Sequence, residues 1–225
     1  MIPAAPSRLF QFCFHQYNRR LFARSFAGIW VHRDSLAAPP PSALFILNHS
    51  SWWDGLVCFH LNRLLFGHSS YYMMHETGLR QYPLFRRLGA FSVNRDNPKD
   101  VLQSLQYSVK RLQEGGSIWM FPQGDEMHLE LRPLGFLPGF LYLAEKATNI
   151  PVIPIALYYS FLHQQRPELF VKIGQPLSLP AGSSRAERAK LAEEAFTAGL
   201  DDVRRAVVAE NMEAFIPLQD WKWES

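Results

Sequence analysis

The residues in this chain best placed to do chemistry are Asn48-His49-Ser50-Ser51-Trp52-Trp53-Asp54-Gly55. His49 can take a proton near neutral pH. Asp54 follows five positions later. On one continuous helix that spacing would put the two about 140° apart, from 3.6 residues per turn. They can meet only if His49 sits in a turn and Asp54 in the first turn of the helix that follows. A carboxylate there lies at the favourable end of the helix dipole. It would orient the imidazole and stabilise its protonated form. Ser50 and Ser51 adjoin His49, but the glycine-flanked elbow of a serine hydrolase is missing. A His-Asp pair without its own serine points to a substrate that supplies the hydroxyl, with His49 as general base. The plainer alternative is a histidine that ends a strand and an aspartate that caps a helix.

The elements around this stretch fit that placement. Ala43-Leu44-Phe45-Ile46-Leu47 before it reads as a buried strand, and Leu56 to Phe66 after it reads as a helix. Further strands are expected at Ser70–His75, Ser117–Phe121, Pro151–Tyr159 and Phe170–Ile173, with a short extended piece at Gly89–Arg95. The two prolines of the Pro151–Tyr159 strand mark a strand start or a sheet edge. Helices are expected at Tyr82–Leu88, Asp96–Gln113, Phe140–Ala147 and Ser183–Ala214. Val101, Leu102, Leu105, Val109 and Leu112 form the apolar face of the second of these. Leu191, Ala195, Leu200, Val203 and Val207 form that of the last. Strands alternating with helices define an α/β sheet. After the Ser117–Phe121 strand, Pro122-Gln123-Gly124 marks a tight turn that can show backbone N–H groups to a ligand.

At 225 residues the chain suits one sizeable domain with a short appendage. The boundaries expected are 1–38 for an N-terminal amphipathic membrane-associating helix and 39–225 for the main domain. Residues Ser7 to His32 carry a ridge of Phe10, Phe14, Tyr17, Leu21 and Phe22, together with arginines, and no acid precedes Asp34. An aromatic, basic, acid-free helix has the profile of an interfacial membrane helix, the alternative being a core helix with a solvated arginine face. The density of Phe and Leu argues against nucleic acid as a partner. The two cysteines, Cys13 and Cys58, give neither a disulfide framework nor metal spacing, which points to a reducing compartment. No apolar run of about 18 residues is present, so no ordinary transmembrane helix is expected. The N-terminus lacks a signal-peptide layout. Trp221 and Trp223 are expected either against the domain or at a membrane surface.

Four segments, in order, resemble the glycerolipid acyltransferase family, which includes lysophosphatidate acyltransferases. Asn48, His49 and Asp54 match its Asn-His-x4-Asp motif, and Gly89 to Arg95 its short Gly-to-Arg piece. Phe121-Pro122-Gln123-Gly124-Asp125-Glu126 resembles its Phe-Pro-Glu-Gly-Thr-Arg motif. Ile150-Pro151-Val152-Ile153-Pro154-Ile155 resembles its Val-Pro-Val-x-Pro-Val strand. The resemblance spans about residues 43 to 175. It implies a mixed sheet flanked by helices and transfer of a fatty acyl group from an acyl thioester, acyl-CoA or acyl carrier protein, to a lipid hydroxyl. His49 and Asp54 would be catalytic. Asn48, Arg95, Phe121, Pro122, Gln123, Gly124, Asp125 and Glu126 would lie at the substrate site. Donors near the Pro122-Gln123-Gly124 turn would help hold the oxyanion. No metal or bound cofactor is implied, and the membrane surface becomes a partner. The expected location is peripheral, on the cytoplasmic face of the cell membrane.

The departures from the family pattern concern the acceptor. Asp125 and Glu126 stand where the family has threonine and a base, Gln123 where it has glutamate, and Phe136-Leu137-Pro138-Gly139 lacks the family's lysine. Two carboxylates would repel a phosphomonoester. Arg95 keeps one phosphate-binding position, and Arg132 is a second available charge. A neutral acceptor fits the acidic turn better than lysophosphatidate: a lysophospholipid, or a sugar hydroxyl on a glycolipid or carotenoid glycoside. Two other functions use the same residues: an acyl-ester hydrolase with the His-Asp pair acting on water, and a non-catalytic lipid-binding protein.

Overall fold

The computed structural model describes residues 1–180 and 182–223. An eight-stranded sheet runs through the molecule in the order β4-β3-β5-β2-β6-β7-β1-β8. The strands are β1 (Gly28–His32), β2 (Leu44–Leu47), β3 (Ser70–His75), β4 (Ala90–Val93), β5 (Ser117–Met120), β6 (Val152–Ser160), β7 (Glu168–Ile173) and β8 (Phe215–Pro217). From β4 to β6 all neighbours are parallel, whereas β6 pairs antiparallel with β7. β1 is parallel to β7 and antiparallel to β8. The sheet is therefore mixed.

β2 lies between β5 and β6 with all four residues buried, which is why its sequence is an unbroken apolar run. One face is covered by α1 (Arg8–Ser25) and α2 (Asp54–Leu61), whose Phe22, Val57 and Leu61 pack with Phe45, Leu47 and Trp119 of the sheet. The other face carries α4 (Pro98–Gln113), α5 (Gly139–Lys146) and α6 (Arg185–Val208), with Leu112, Phe140 and Phe196 against Leu44, Ile46 and Ile118. A short helix α3 (Glu76–Gln81) and a 3₁₀ turn at Pro83–Leu88 join β3 to β4. Asn97 caps α4 through its side chain, with Pro98 in the first turn. Ser184 and Glu187 form a reciprocal capping box on α6.

Several expectations shift. The first helix stops at Ser25 rather than running to His32, and Gly28–His32 is a strand inside the sheet. Phe22, Phe26 and Val31 belong to the core, so a cut at residue 38 would remove a strand. Tyr17 leaves the expected ridge and is exposed, while Asn18 is buried on that side and donates to the Leu56 carbonyl at 3.2 Å. On α4, Leu102 turns outward. On α6, Leu191 and Ala195 are exposed, and Ala192 and Phe196 beside them point in. The residues were all apolar or small, so composition could not fix the register. β6 is interior, not an edge. Its Pro154 sits where the β7 ladder ends, against Gly174, where an added Cβ would come within 2.7 Å of the proline ring. Trp223 packs on the domain, with its ring 5.4 Å from Phe66 and its Nε1 donating to the Leu65 carbonyl at 2.8 Å.

Candidate active site

His49 and Asp54 meet at the carboxyl end of β2. The chain leaves the strand at Leu47, turns through Asn48–Trp53 and enters α2 at Asp54. The carboxylate reaches back over this turn: Oδ2 accepts the N–H groups of Ser50 at 2.7 Å and Ser51 at 2.9 Å. The same oxygen lies 2.9 Å from His49 Nδ1. An ionised carboxylate only accepts, so Nδ1 carries the proton and Nε2 is left as the basic nitrogen. Asp54 is fully buried, whereas the His49 side chain keeps about a quarter of its surface open. Phe121 stacks on the imidazole at 4.2 Å between centroids and 17° between planes, fixing the ring's tilt.

The backbone of His49 is also held. Its N–H donates to Gln123 Oε1 at 2.7 Å, and its carbonyl accepts from Met127 N at 2.8 Å. Gln123 thus ties the turn after β5 to the turn after β2. Asn48 does the same toward β6: its Nδ2 donates to the Leu157 carbonyl at 2.9 Å, and Leu157 N donates to its Oδ1 at 2.8 Å. Both residues are buried, with both amide atoms of Asn48 and the Oε1 of Gln123 engaged by backbone groups of the protein.

The remaining oxygen of Asp54 has a partner that sequence reasoning missed. Tyr159, near the end of β6, donates its hydroxyl to Oδ1 at 2.5 Å. Burial and the neighbouring Asp54 push the Tyr159 phenol well above its ordinary pKa, so it stays a donor. The sequence signal was faint: a tyrosine two residues beyond Leu157, on the strand adjacent to β2.

His49 opens on a cavity of about 760 Å³, within the roughly 300–1,000 Å³ usual for ligand sites. Its walls are mostly apolar and include Leu56, Phe59, Tyr72, Trp119, Leu105 and Tyr142. Consecutive strand residues alternate faces. Tyr72 and Trp119 belong to the core on the α2 side, whereas Leu105 and Tyr142 pack with the core on the α4–α5 side. The cavity therefore reaches past the carboxyl ends of β3 and β5 onto both faces. Cys58 also lines it, but burial and Asp54 push its thiol well above the ordinary range, so it is no thiolate nucleophile.

Arg95, Phe121, Pro122, Gly124, Asp125 and Glu126 all line this cavity. Arg95 Nη2 donates to Asp125 Oδ1 at 2.6 Å, and that contact holds the Asp125 carboxyl below its usual pKa range. Gly124 has φ +80°, which favours glycine in the turn, and a Cβ there would lie 2.4 Å from Arg95 Nη1, so the guanidinium would have to shift. The Gly124 N–H is already spent on the Phe121 carbonyl at 3.0 Å. Arg132 is elsewhere, paired with Asp201 at 2.6 Å. Away from this site, His32, Asp34 and Asp202 bring potential metal-ligand atoms within 4.8 Å of one another, but Lys172 Nζ lies 2.5 Å from Asp202 and supplies the positive charge.

A parallel-centred sheet with a His-Asp pair at the end of a middle strand, beside an apolar cavity, defines an α/β protein with a candidate acid–base site for an apolar ligand. The family model "Acyltransferase" matches residues 22–158, and the chain belongs to that family. A curated 1-acyl-sn-glycerol-3-phosphate acyltransferase from Chlamydomonas reinhardtii is 28% identical over 129 residues, covering 56% of this chain and 37% of that protein's length. The crystal structure of the 1-acyl-sn-glycerophosphate (LPA) acyltransferase PlsC from Thermotoga maritima superposes with a TM-score of 0.57 at 19% identity. It covers 85% of this chain and 79% of that one, a likeness of fold.

Proposed function

We propose that this protein is a membrane-surface O-acyltransferase that moves a fatty acyl group from an acyl-CoA or acyl carrier protein thioester to the hydroxyl of a lipid with an uncharged headgroup. The observation that carries this reading is the His49–Asp54 pair opening on an apolar cavity whose lining, among the described residues, holds no serine and only Cys58 as a thiol, kept protonated by burial. His49 Nε2 takes the proton of the acceptor hydroxyl as its oxygen attacks the thioester carbonyl. The tetrahedral intermediate expels the thiolate, which takes the proton back from the imidazolium. Asp54 stabilises the imidazolium between the two steps. The apolar cavity suits an aliphatic chain, whose burial yields about 0.8 kcal/mol per methylene.

The Arg95–Asp125 pair supports an uncharged headgroup. The arginine that would meet a phosphate is engaged by a carboxylate of its own chain, and Glu126 adds a second negative charge at the cavity. Membrane contact is supported by α1. Leu9, Phe12 and Tyr17 are exposed on its outward side among Arg8, Arg19, Arg20 and Arg24, a basic and aromatic face suited to an anionic interface. Among the described residues no helix is long and apolar enough to cross a membrane. Trp52 and Tyr82 are exposed and line the cavity, giving it an aromatic rim.

The experiment is incubation of the purified protein with labelled acyl-CoA and acyl carrier protein, and liposomes containing monoacylglycerol, lysophosphatidylcholine, a glycolipid or lysophosphatidate. Acylated lipid is the expected product. Free fatty acid alone would make the protein a hydrolase, and no turnover with any donor would make it a binding protein.

A further inference from the structure

We propose that Tyr159 is a positioning residue for the His49–Asp54 pair, fixing the carboxylate through Oδ1 and restraining the basicity of His49.

The argument starts from the two oxygens of Asp54. Oδ2 carries three contacts: the Ser50 and Ser51 N–H groups and His49 Nδ1. Among the described residues, Oδ1 has only the Tyr159 hydroxyl. Asp54 is fully buried, so no solvent replaces that donor. Apolar rings close the surroundings. Phe26 lies 6.1 Å from the Tyr159 ring and 5.0 Å from Trp53. A buried carboxylate oxygen without a donor bears its full desolvation cost, so the hydroxyl satisfies Oδ1 and holds the carboxylate in one rotamer.

The fold places that hydroxyl deliberately. β6 runs parallel to β2, with Leu47 opposite Ile155. Asn48 then clamps both backbone groups of Leu157. Residues two apart on a strand share a face, so Tyr159 emerges on the same side as Ile155 and Leu157, which pack in the core beneath α2. Tyr158 points to the opposite face and donates to Glu130 at 3.0 Å. A shift of one residue in the β2–β6 register would exchange the two tyrosines.

The electronic effect has a definite sign. A donor to the carboxylate draws charge from it and weakens its attraction for the imidazolium. Tyr159 therefore favours neutral His49, the form that acts as base. Removing the hydroxyl raises the His49 pKa. The other charged or titratable groups along the cavity that His49 opens on are Cys58 on α2, Tyr72 and His75 on β3, Tyr82 after α3, Arg95 after β4, Asp125 and Glu126 after β5, Tyr142 on α5 and Arg185 on α6. None of them changes in a Tyr159 variant, so a difference from wild type reports the hydroxyl alone.

The test is Tyr159→Phe in the full chain, which keeps the ring and deletes the donor. The imidazole of His49 is titrated by NMR with ¹⁵N-histidine, assigned by loss of the signal in His49→Gln. The expected result is an upward shift of about half a pH unit or more. The kinetic part rests on the acyl-transfer reading: kcat falls about 10-fold or more with KM for the acceptor little changed, and the acid limb of kcat/KM moves to higher pH. Replacing the residue site-specifically with 3,5-difluorotyrosine, a stronger donor, moves the titration the other way and covers the case in which Tyr159→Phe folds poorly. An unmoved His49 titration in both variants overturns the proposal, as does activity lost only in proportion to the folded fraction. If wild type transfers no acyl group, the acyl-transfer reading fails while the NMR titration still decides the role of Tyr159.

Discussion

The charges at the turn after β5 can be rewritten to change the acceptor. Asp125→Thr with Glu126→Arg restores the residue types of the related family at those positions. In the wild type the side chains of Arg95, Asp125 and Glu126 together carry a net charge of −1, and in the double variant +2. Arg95 also loses the carboxylate that holds it at 2.6 Å and becomes free for a ligand. A phosphomonoester brings about −1.5 to −2 charges. Arg95 is about a third exposed and Asp125 more than half, so the Coulomb gain must be discounted toward the value in water. At roughly 5 Å, with that discount and screening by salt, the change in favour of a phosphate comes to about 2–4 kcal/mol.

In rate terms this is about 30- to 700-fold in the ratio of kcat/KM for lysophosphatidate over monoacylglycerol. The assay is direct competition between the two acceptors in mixed liposomes, with the products resolved by mass. The gain should shrink in 0.5 M salt, because the groups are exposed. A wild-type enzyme that already prefers lysophosphatidate would refute the reasoning. So would a double variant with an unchanged ratio at low salt, since either result means that these carboxylates do not face the headgroup.

Further outcomes follow from other parts of the site and scaffold. His49→Ala and Asp54→Ala should each lower kcat by at least about 10²-fold, with circular dichroism unchanged for His49→Ala. Leu9→Asp with Phe12→Asp on the exposed side of α1 should reduce flotation with anionic liposomes while leaving turnover of a detergent-dispersed acceptor intact; full flotation would remove this face from the membrane contact. Gly124→Ala should break the turn and the Arg95–Asp125 pair together, since the new Cβ meets the guanidinium at 2.4 Å in a left-handed backbone, and activity is the readout. Burial lowers the His60 imidazole from 6.5 to about 4. Its contribution is complete above pH 6.5 and is lost as pH falls toward 4, by about 3 kcal/mol. Urea unfolding should show this loss in wild type, and His60→Phe, which keeps the stack on Phe22 at 4.6 Å, should flatten the dependence.

Legibility of the fold tracked how local the cause was. β2 and β5 were readable because strands buried on both faces must be apolar throughout, and α4 because Asn97-Pro98 and Gly115 punctuate it. β1 was not. Gly28-Ile29-Trp30-Val31-His32 continues the aromatic pattern of α1, and only pairing with β7 and β8, in the last third of the chain, makes it a strand. The placement of Pro154 inside the sheet was equally invisible, because its neighbour Gly174 lies twenty residues on.

The candidate site divides along the same line. His49 and Asp54 lie in one turn, so their meeting could be argued from helical geometry alone, and the carboxylate's two bonds to Ser50 and Ser51 explain why that turn holds. The pairing of Arg95 with Asp125 crosses thirty positions, but it could be anticipated from charge, since an acidic turn without a phosphate needs a cation. Tyr159 had neither advantage. It is 105 residues from Asp54 and reaches it because the sheet order sets β6 beside β2 and Asn48 fixes their register. Asn48 therefore acts twice over. It closes the turn that carries His49, and it sets the strand that carries the second hydrogen bond to Asp54. An Asn48→Ala change should accordingly disturb the His49 titration as well as stability, whereas Tyr159→Phe should act mainly on the first.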